Sequence, residues 1–174
     1  YQALEEHIKD SVMEEQAKLG FRKEVIRLYY PVGMLNNLFG TACDAEEMQQ
    51  ALAGFTDFAK ERLGEVTITH KKDRFCLLLP EETSIYVHEH KKENEFIHQL
   101  VNLIASHETD MEQVKKLFEQ QPFPSVVEQT TGGEFDTVIH FTQGDDRYYY
   151  CFKDEGFHIT YHRFLPADYK DLGV

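Results

Sequence analysis

Phe135-Asp-Thr-Val-Ile-His-Phe141, Arg147-Tyr-Tyr-Tyr-Cys-Phe-Lys153 and Phe157-His-Ile-Thr-Tyr-His-Arg-Phe164 are three runs dense in aromatic and β-branched residues. Such composition favours strands. Gly144-Asp145 and Glu155-Gly156 lie between the runs and suit two-residue hairpin turns. Those turns predict a register. Across the first, Phe141 faces Tyr148, Ile139 faces Tyr150 and Thr137 faces Phe152. Across the second, Tyr150 faces Tyr161 and Phe152 faces Ile159. Side chains alternate along a strand, so these residues share one face, the core face. The opposite face carries the rows His140–Tyr149–His162, Val138–Cys151–Thr160 and Asp136–Lys153–His158. Pro166 to Leu172 reads as a short terminal helix.

Upstream, helical and strand patterns alternate. Leu4, Ile8, Val12 and Leu19 have helical spacing, and Gly20 stops the pattern as a C-cap glycine does. Phe21–Tyr30 fits either state, but Val25, Ile26, Tyr29 and Tyr30 lean it to a strand, and Pro31 requires Tyr30 to be extended. Pro31 then starts a short helix through Phe39, closed by Gly40. Asp44 is placed as an N-cap, with one helix through Met48, Leu52, Phe55 and Leu63 ending at Gly64. Val66–His70 and Arg74–Leu79 flank Lys71-Lys72-Asp73 as a hairpin. Ser84–His90 is a third strand or the start of a helix. Glu93–Ser106 is helical, Thr109 with Glu112 has capping-box spacing for the next helix, and Gln121-Pro122-Phe123-Pro124 breaks that helix at the best linker candidate. A faint internal echo links Asp73-Arg74-Phe75 and Ile85-Tyr86-Val87-His88 to Asp146-Arg147-Tyr148 and Ile159-Thr160-Tyr161-His162, a weak helix–strand–strand–strand pseudo-repeat. The whole predicts one α+β domain over residues 1–174, with an antiparallel sheet (the C-terminal meander plus the earlier hairpin) packed by helices.

The composition narrows the functions available. The 174 residues carry 18 Lys+Arg against 31 Asp+Glu, a net charge of −13. Nucleic-acid binding needs clustered cations, and every basic cluster here is short and flanked by acids. The same sign disfavours an anionic membrane surface, and no run approaches 18 apolar residues. Cys43, Cys76 and Cys151 are far apart and odd in number, which fits free thiols in a cytoplasmic setting.

Signature motifs for chemistry are missing from the chain. It has no phosphate-cradling G-x-x-x-x-G-K-S/T, no G-x-G-x-x-G after a strand, no G-x-S-x-G elbow and no H-E-x-x-H. No cofactor is therefore expected. His88, His90 and His98 invite a metal reading, but either backbone conformation brings only two of them to one face, and a catalytic zinc needs three protein ligands. No metal is expected. The best catalytic candidates are His140, Tyr149, Cys151 and His162 on the outer face of the meander. Two imidazoles converging across a tyrosine, with a thiol one row away, have the residue types for acid–base or thiolate chemistry. A half-wet antiparallel face explains the same residues without chemistry. Arg22 and Arg27 beside Tyr29 are the candidates for binding an anionic group.

Glu14-Glu15-Gln16, Leu19-Gly20-Phe21 and Arg22-Lys23-Glu24-Val25-Ile26-Arg27-Leu28-Tyr29-Tyr30-Pro31 resemble a family of uncharacterised proteins from gut Firmicutes, a bacterial domain of unknown function. The similarity is sharp over Met13–Gly40 and looser around Arg74–Leu79 and Tyr86–Glu89. It implies a bacterial cytoplasmic protein and carries no activity, cofactor or catalytic residue. The expectation is an acidic protein-interaction module, such as an adaptor, a small chaperone or an immunity-type inhibitor, whose net charge suits a basic partner. The alternative is an enzyme or small-ligand binder working through His140, Tyr149 and His162.

Overall fold

Gly20 and Gly40 bracket the first strand in the computed structural model, which describes residues 1–91, 94–106 and 108–173. Helix α1 (Gln2–Leu19) ends where Gly20 takes φ +81° and donates its N–H to Gln16 O at 2.8 Å. Strand β1 (Ile26–Pro31) follows. Pro31 then caps α2 (Val32–Phe39), which Gly40 closes in the left-handed region at φ +67°. Contacts divide the chain into two compact units, Tyr1–Glu95 and Phe96–Val174. The division falls at the start of a helix.

In the first unit, Asp44 caps as expected: its carboxylate accepts from Glu47 N at 2.9 Å and Glu47 accepts from Asp44 N at 3.1 Å. The single helix expected after it is two, α3 (Ala45–Ala51) and α4 (Phe55–Leu63). The N-terminal residue occupies the break. Tyr1 Oη donates to Ala51 O at 2.6 Å and accepts from Gly54 N at 3.1 Å, satisfying backbone groups that the interruption frees. The hairpin is present as β2 (Thr67–Lys71) and β3 (Arg74–Leu79), with Lys72 at φ +55° in its turn. Ser84–His90 belongs to a helix, α5 (Glu81–His90), which starts at Pro80 with two glutamates in its first turn. Its polar N-terminal residues are anchored in the fold: Ser84 Oγ donates to Glu24 O at 3.0 Å and Thr83 Oγ1 donates to Leu63 O.

The three strands form an antiparallel sheet in the order β1-β3-β2. One face of it is core: Tyr30, Phe75, Leu77 and Leu79 are buried in a cluster with Ile8, Val12, Leu35, Phe55 and Leu63. A buried carboxylate ties α1 to α4, since Glu5 is 4% exposed and meets Arg62 Nε at 2.7 Å and Lys9 Nζ at 2.9 Å. At Gly64, φ is +79° and an added Cβ would stand 3.0 Å from Pro80 Cγ and 3.2 Å from Glu82 Cβ. Gly64→Ala should therefore cost at least about 1 kcal/mol from backbone conformation alone. A urea midpoint equal to that of the native protein would contradict this.

The second unit contains α6 (Glu95–Ala105), α7 (Met111–Glu119) and a four-stranded antiparallel sheet β4-β5-β6-β7. Its strands are β4 (Ser125–Gln129), β5 (Thr137–Phe141), β6 (Tyr149–Asp154) and β7 (Ile159–Phe164), followed by α8 (Pro166–Asp171). The capping box of α7 is Asp110 with Gln113, one residue later than expected. Strand β4 joins the expected three. It is an exposed edge strand whose Val126 and Val127 remain in water, so its sequence lacks the alternation that marks a half-buried strand. The internal echo is not a structural repeat, because Ile85–His88 is helical whereas Ile159–His162 is a strand.

The β5–β6 register is the predicted one, with Thr137 opposite Phe152, Ile139 opposite Tyr150 and His140 opposite Tyr149. The β6–β7 register differs by two residues: Phe152 faces Tyr161, Tyr150 faces Arg163 and Cys151 faces His162. Glu155 N donates to His158 O at 2.9 Å, so the turn is centred on Gly156-Phe157. Gly156, at φ +88°, takes the first central position, where a primed turn requires positive φ. A slip of two leaves every side chain on its predicted face, whereas a slip of one inverts the sheet. The core face therefore holds Ile139, Tyr150 and Phe152, all buried, against the rings of Phe96 and Phe118.

Candidate functional site

The two-residue slip separates the residues that the sequence placed in one row. His140 and Tyr149 remain neighbours, with rings stacked at 4.2 Å, but the row ends at Phe164 instead of His162. His162 is exposed and lies opposite Cys151, its own ring 4.3 Å from that of Phe164. The middle of this face is covered. Tyr169 of α8 stacks on Tyr149 at 4.4 Å, and Val138 and Cys151 beneath are buried. Burial pushes the Cys151 thiol up to about 12. Tyr169 is also raised, by burial and then by Glu128, whose carboxylate accepts from its hydroxyl at 3.4 Å.

A thiol held so high stays protonated at neutral pH and lacks the nucleophilic thiolate. All three cysteines are free, and Cys43 and Cys76 are partly accessible. An alkylating reagent at pH 8 should label Cys43 and Cys76 in the native protein and Cys151 only after unfolding. Equal labelling rates at Cys151 and Cys76 would mean that Cys151 is not enclosed. The linkage has a definite sign. The folded state holds this proton more tightly than the unfolded chain, so the stabilisation is complete below the ordinary 9.0 and is lost as pH rises from there towards about 12. Urea midpoints of native protein and Cys151→Ala should converge over that range.

The histidines of α5 are engaged in stacking. His88 lies on Phe21 at 3.8 Å, and His90 lies on Tyr86 at 4.2 Å. Among the described residues, no group of three His, Cys, Asp or Glu side chains is placed to hold a metal ion. No helix among them is long and apolar enough to cross a membrane.

The arginine and tyrosine of β1 have a different setting. Arg27 and Tyr29 point away from the core, because Ile26, Leu28 and Tyr30 alternate toward it. Strand β3 pairs with β1 and β2 together, so the outward residues form rows across three strands. Arg27, Leu78 and Thr67 make one row; Tyr29, Cys76 and Thr69 the next; Pro31, Arg74 and Lys71 the third. The Arg74 guanidinium lies over the Tyr29 ring at 4.6 Å, a cation–π contact. From strand spacings, the three rows span about 10 Å by 14 Å. Leu78 and Cys76 at the centre are half-buried, while Arg27, Thr67, Thr69, Lys71 and Arg74 are exposed and Tyr29 is 51% exposed. Among the described residues of the first unit, no helix or strand covers this face. Just before β1, Val25 is 54% exposed. Arg22 lies further back, in the exposed residues leading to β1, outside the three rows.

Sequence reasoning selects Arg27 and Tyr29 but not Lys71, Arg74 or Cys76. Those residues join the site only because β1, distant in sequence, pairs with β3. The detectable signal is the alternation of Arg74-Phe75-Cys76-Leu77-Leu78-Leu79, where Phe75, Leu77 and Leu79 mark the buried side and assign Arg74, Cys76 and Leu78 to the other.

Comparison with curated proteins and with solved structures finds no match. A family model does match, over residues 1–173, which takes in both units and the open sheet face. By that match the chain belongs to the family described as "Domain of unknown function, E. rectale Gene description (DUF3877)".

Proposed function

We propose that the protein is a protein-interaction module that docks a partner on the open face of its three-stranded sheet. The observation that carries this reading is the open sheet face itself. A sheet normally buries one face and solvates the other with polar residues, whereas here the solvent side presents Tyr29 half-exposed over Cys76 and Leu78. Aromatic and arginine side chains around an apolar centre are the residue types enriched at protein interfaces. Binding is favoured over catalysis because Cys151 is enclosed and protonated and His162 is separated from the His140–Tyr149 pair. A cytoplasmic setting accompanies this reading, supported by three unpaired cysteines.

The test is selection of twelve-residue peptides from a random display library on the full chain. Each selected peptide is then titrated against native protein and Tyr29→Ala. Tyr29 lies on the solvent side of the sheet and is half-exposed, so the variant should fold, which circular dichroism checks. Binding should weaken at least tenfold, a loss of about 1.4 kcal/mol. Peptides that bind Tyr29→Ala as tightly as the native protein would remove this face as the docking surface.

A further inference from the structure

We propose that the docked partner is an acidic, extended protein segment with apolar residues interspersed among its carboxylates. This rests on the reading of the open sheet face as the docking surface. Residues 1–95 contain twelve Lys and Arg, and six of them, Arg22, Lys23, Arg27, Lys71, Lys72 and Arg74, fall in just two short segments. The sheet puts cations at both ends of the open face, with Arg27 opposite Leu78 at one end and Arg74 opposite Lys71 at the other.

Three other cations of this unit are paired with nearby carboxylates. Lys9 pairs with Glu5 and Glu6, Lys60 with Glu65, and Arg62 with Glu5. Among the described residues, none of the six is in an ion pair. An acidic chain therefore keeps three cations, Arg27, Lys71 and Arg74, on the same face as its exposed aromatic. A docked segment responds to the charge within about a Debye length, about 8 Å at physiological salt. The local sign thus governs docking, even though the chain as a whole is −13.

The apolar centre and the net charge distinguish between anionic partners. A nucleic acid brings one phosphate per nucleotide and is repelled by the rest of the chain, and six cations over two short segments make no continuous track for its backbone. An acidic polypeptide carries fewer charges and has apolar side chains to place on Tyr29, Leu78 and Val25. Carboxylates on either side can then meet Arg27 and Arg74, whose planar guanidinium groups suit bidentate pairing.

The experiment uses peptides selected on the full chain, together with a twenty-residue thymidine oligonucleotide as a second probe. The selected set should be enriched in Asp and Glu with interspersed apolar residues, and its binding should weaken as salt rises from 50 to 300 mM. Arg27→Glu/Arg74→Glu should lose at least tenfold for these peptides, and peptides remade with Lys in place of Glu should regain affinity for that variant. If Tyr29→Ala weakens binding but the charge reversal does not, the docking surface stands and the acidic partner is wrong. If neither variant weakens binding, the docking surface itself is wrong. Oligonucleotide affinity equal to that of the peptides and abolished by the charge reversal would make the partner a nucleic acid and overturn the proposal. Self-association of the native chain at tens of micromolar that Tyr29→Ala abolishes would make the occupant a second copy, and would overturn it equally.

Discussion

Phe118→Ala should destabilise the second unit by about 3–5 kcal/mol, the range for removing a buried phenylalanine. Phe118 is fully buried, and its ring lies 4.9 Å from that of Phe96, 5.2 Å from Phe141, 5.4 Å from Tyr150 and 6.1 Å from Phe152. Most of these contacts are edge-on, the arrangement that adds to plain area burial. Cavity formation adds further cost, because four rings held by a sheet and a helix cannot collapse onto the space. The measurement is urea unfolding followed by tyrosine fluorescence and by far-ultraviolet circular dichroism. Phe157→Ala is the control, since that ring is 76% exposed. Its effect should stay within about 0.5 kcal/mol. A Phe118→Ala cost below about 1.5 kcal/mol would mean that α7 does not seat its apolar face on the sheet.

The second large effect lies in β3 and depends on alternation. Phe75→Ala should cost about 3–5 kcal/mol, while Cys76→Ser, one residue along, should cost no more than about 1 kcal/mol. Phe75 is fully buried between Tyr30 and His70 of the flanking strands. Cys76 stands on the open face, opposite Tyr29 and Thr69. If the two costs came out equal, both sheet faces would be buried and the docking surface would not exist. The pair thus tests the fold and the proposed function together, without any knowledge of the partner.

Much of the architecture was legible from local signals. Gly20, Gly40 and Gly64 mark helix ends because positive-φ backbone there is a property of glycine itself. Pro31 separates a strand from a helix, and Asp44 caps the next, for equally local reasons. The core face of the meander was legible too, because alternation survives a register error of two residues. Signals that fail are those whose partner lies far away in the chain. The interruption between α3 and α4 is occupied by the Tyr1 hydroxyl, which the linear pattern through Leu52 and Phe55 does not disclose. Ser84–His90 carries strand-forming Ile85, Tyr86 and Val87, yet it is helical with its first turn anchored to Glu24 and Leu63. Tertiary contacts there override propensity.

The same division runs through the candidate sites. Residue types and strand periodicity alone determined the class of fold and the faces of the C-terminal strands, because side-chain direction in a strand follows from parity. Three things were decided only by the tertiary structure. A turn centred on Gly156-Phe157 took His162 out of the His140–Tyr149 row, since one residue in a loop moves a whole strand. Helix α8 laid Tyr169 on Tyr149 over a face that alternation alone reads as wet. And the β1–β3 pairing, across more than forty residues of sequence, carried Arg74 onto Tyr29 and put Arg27 on the same face. Strand order in a sheet is set by which apolar faces fit together in the core, so a surface assembled from several strands is a product of packing that no single segment encodes.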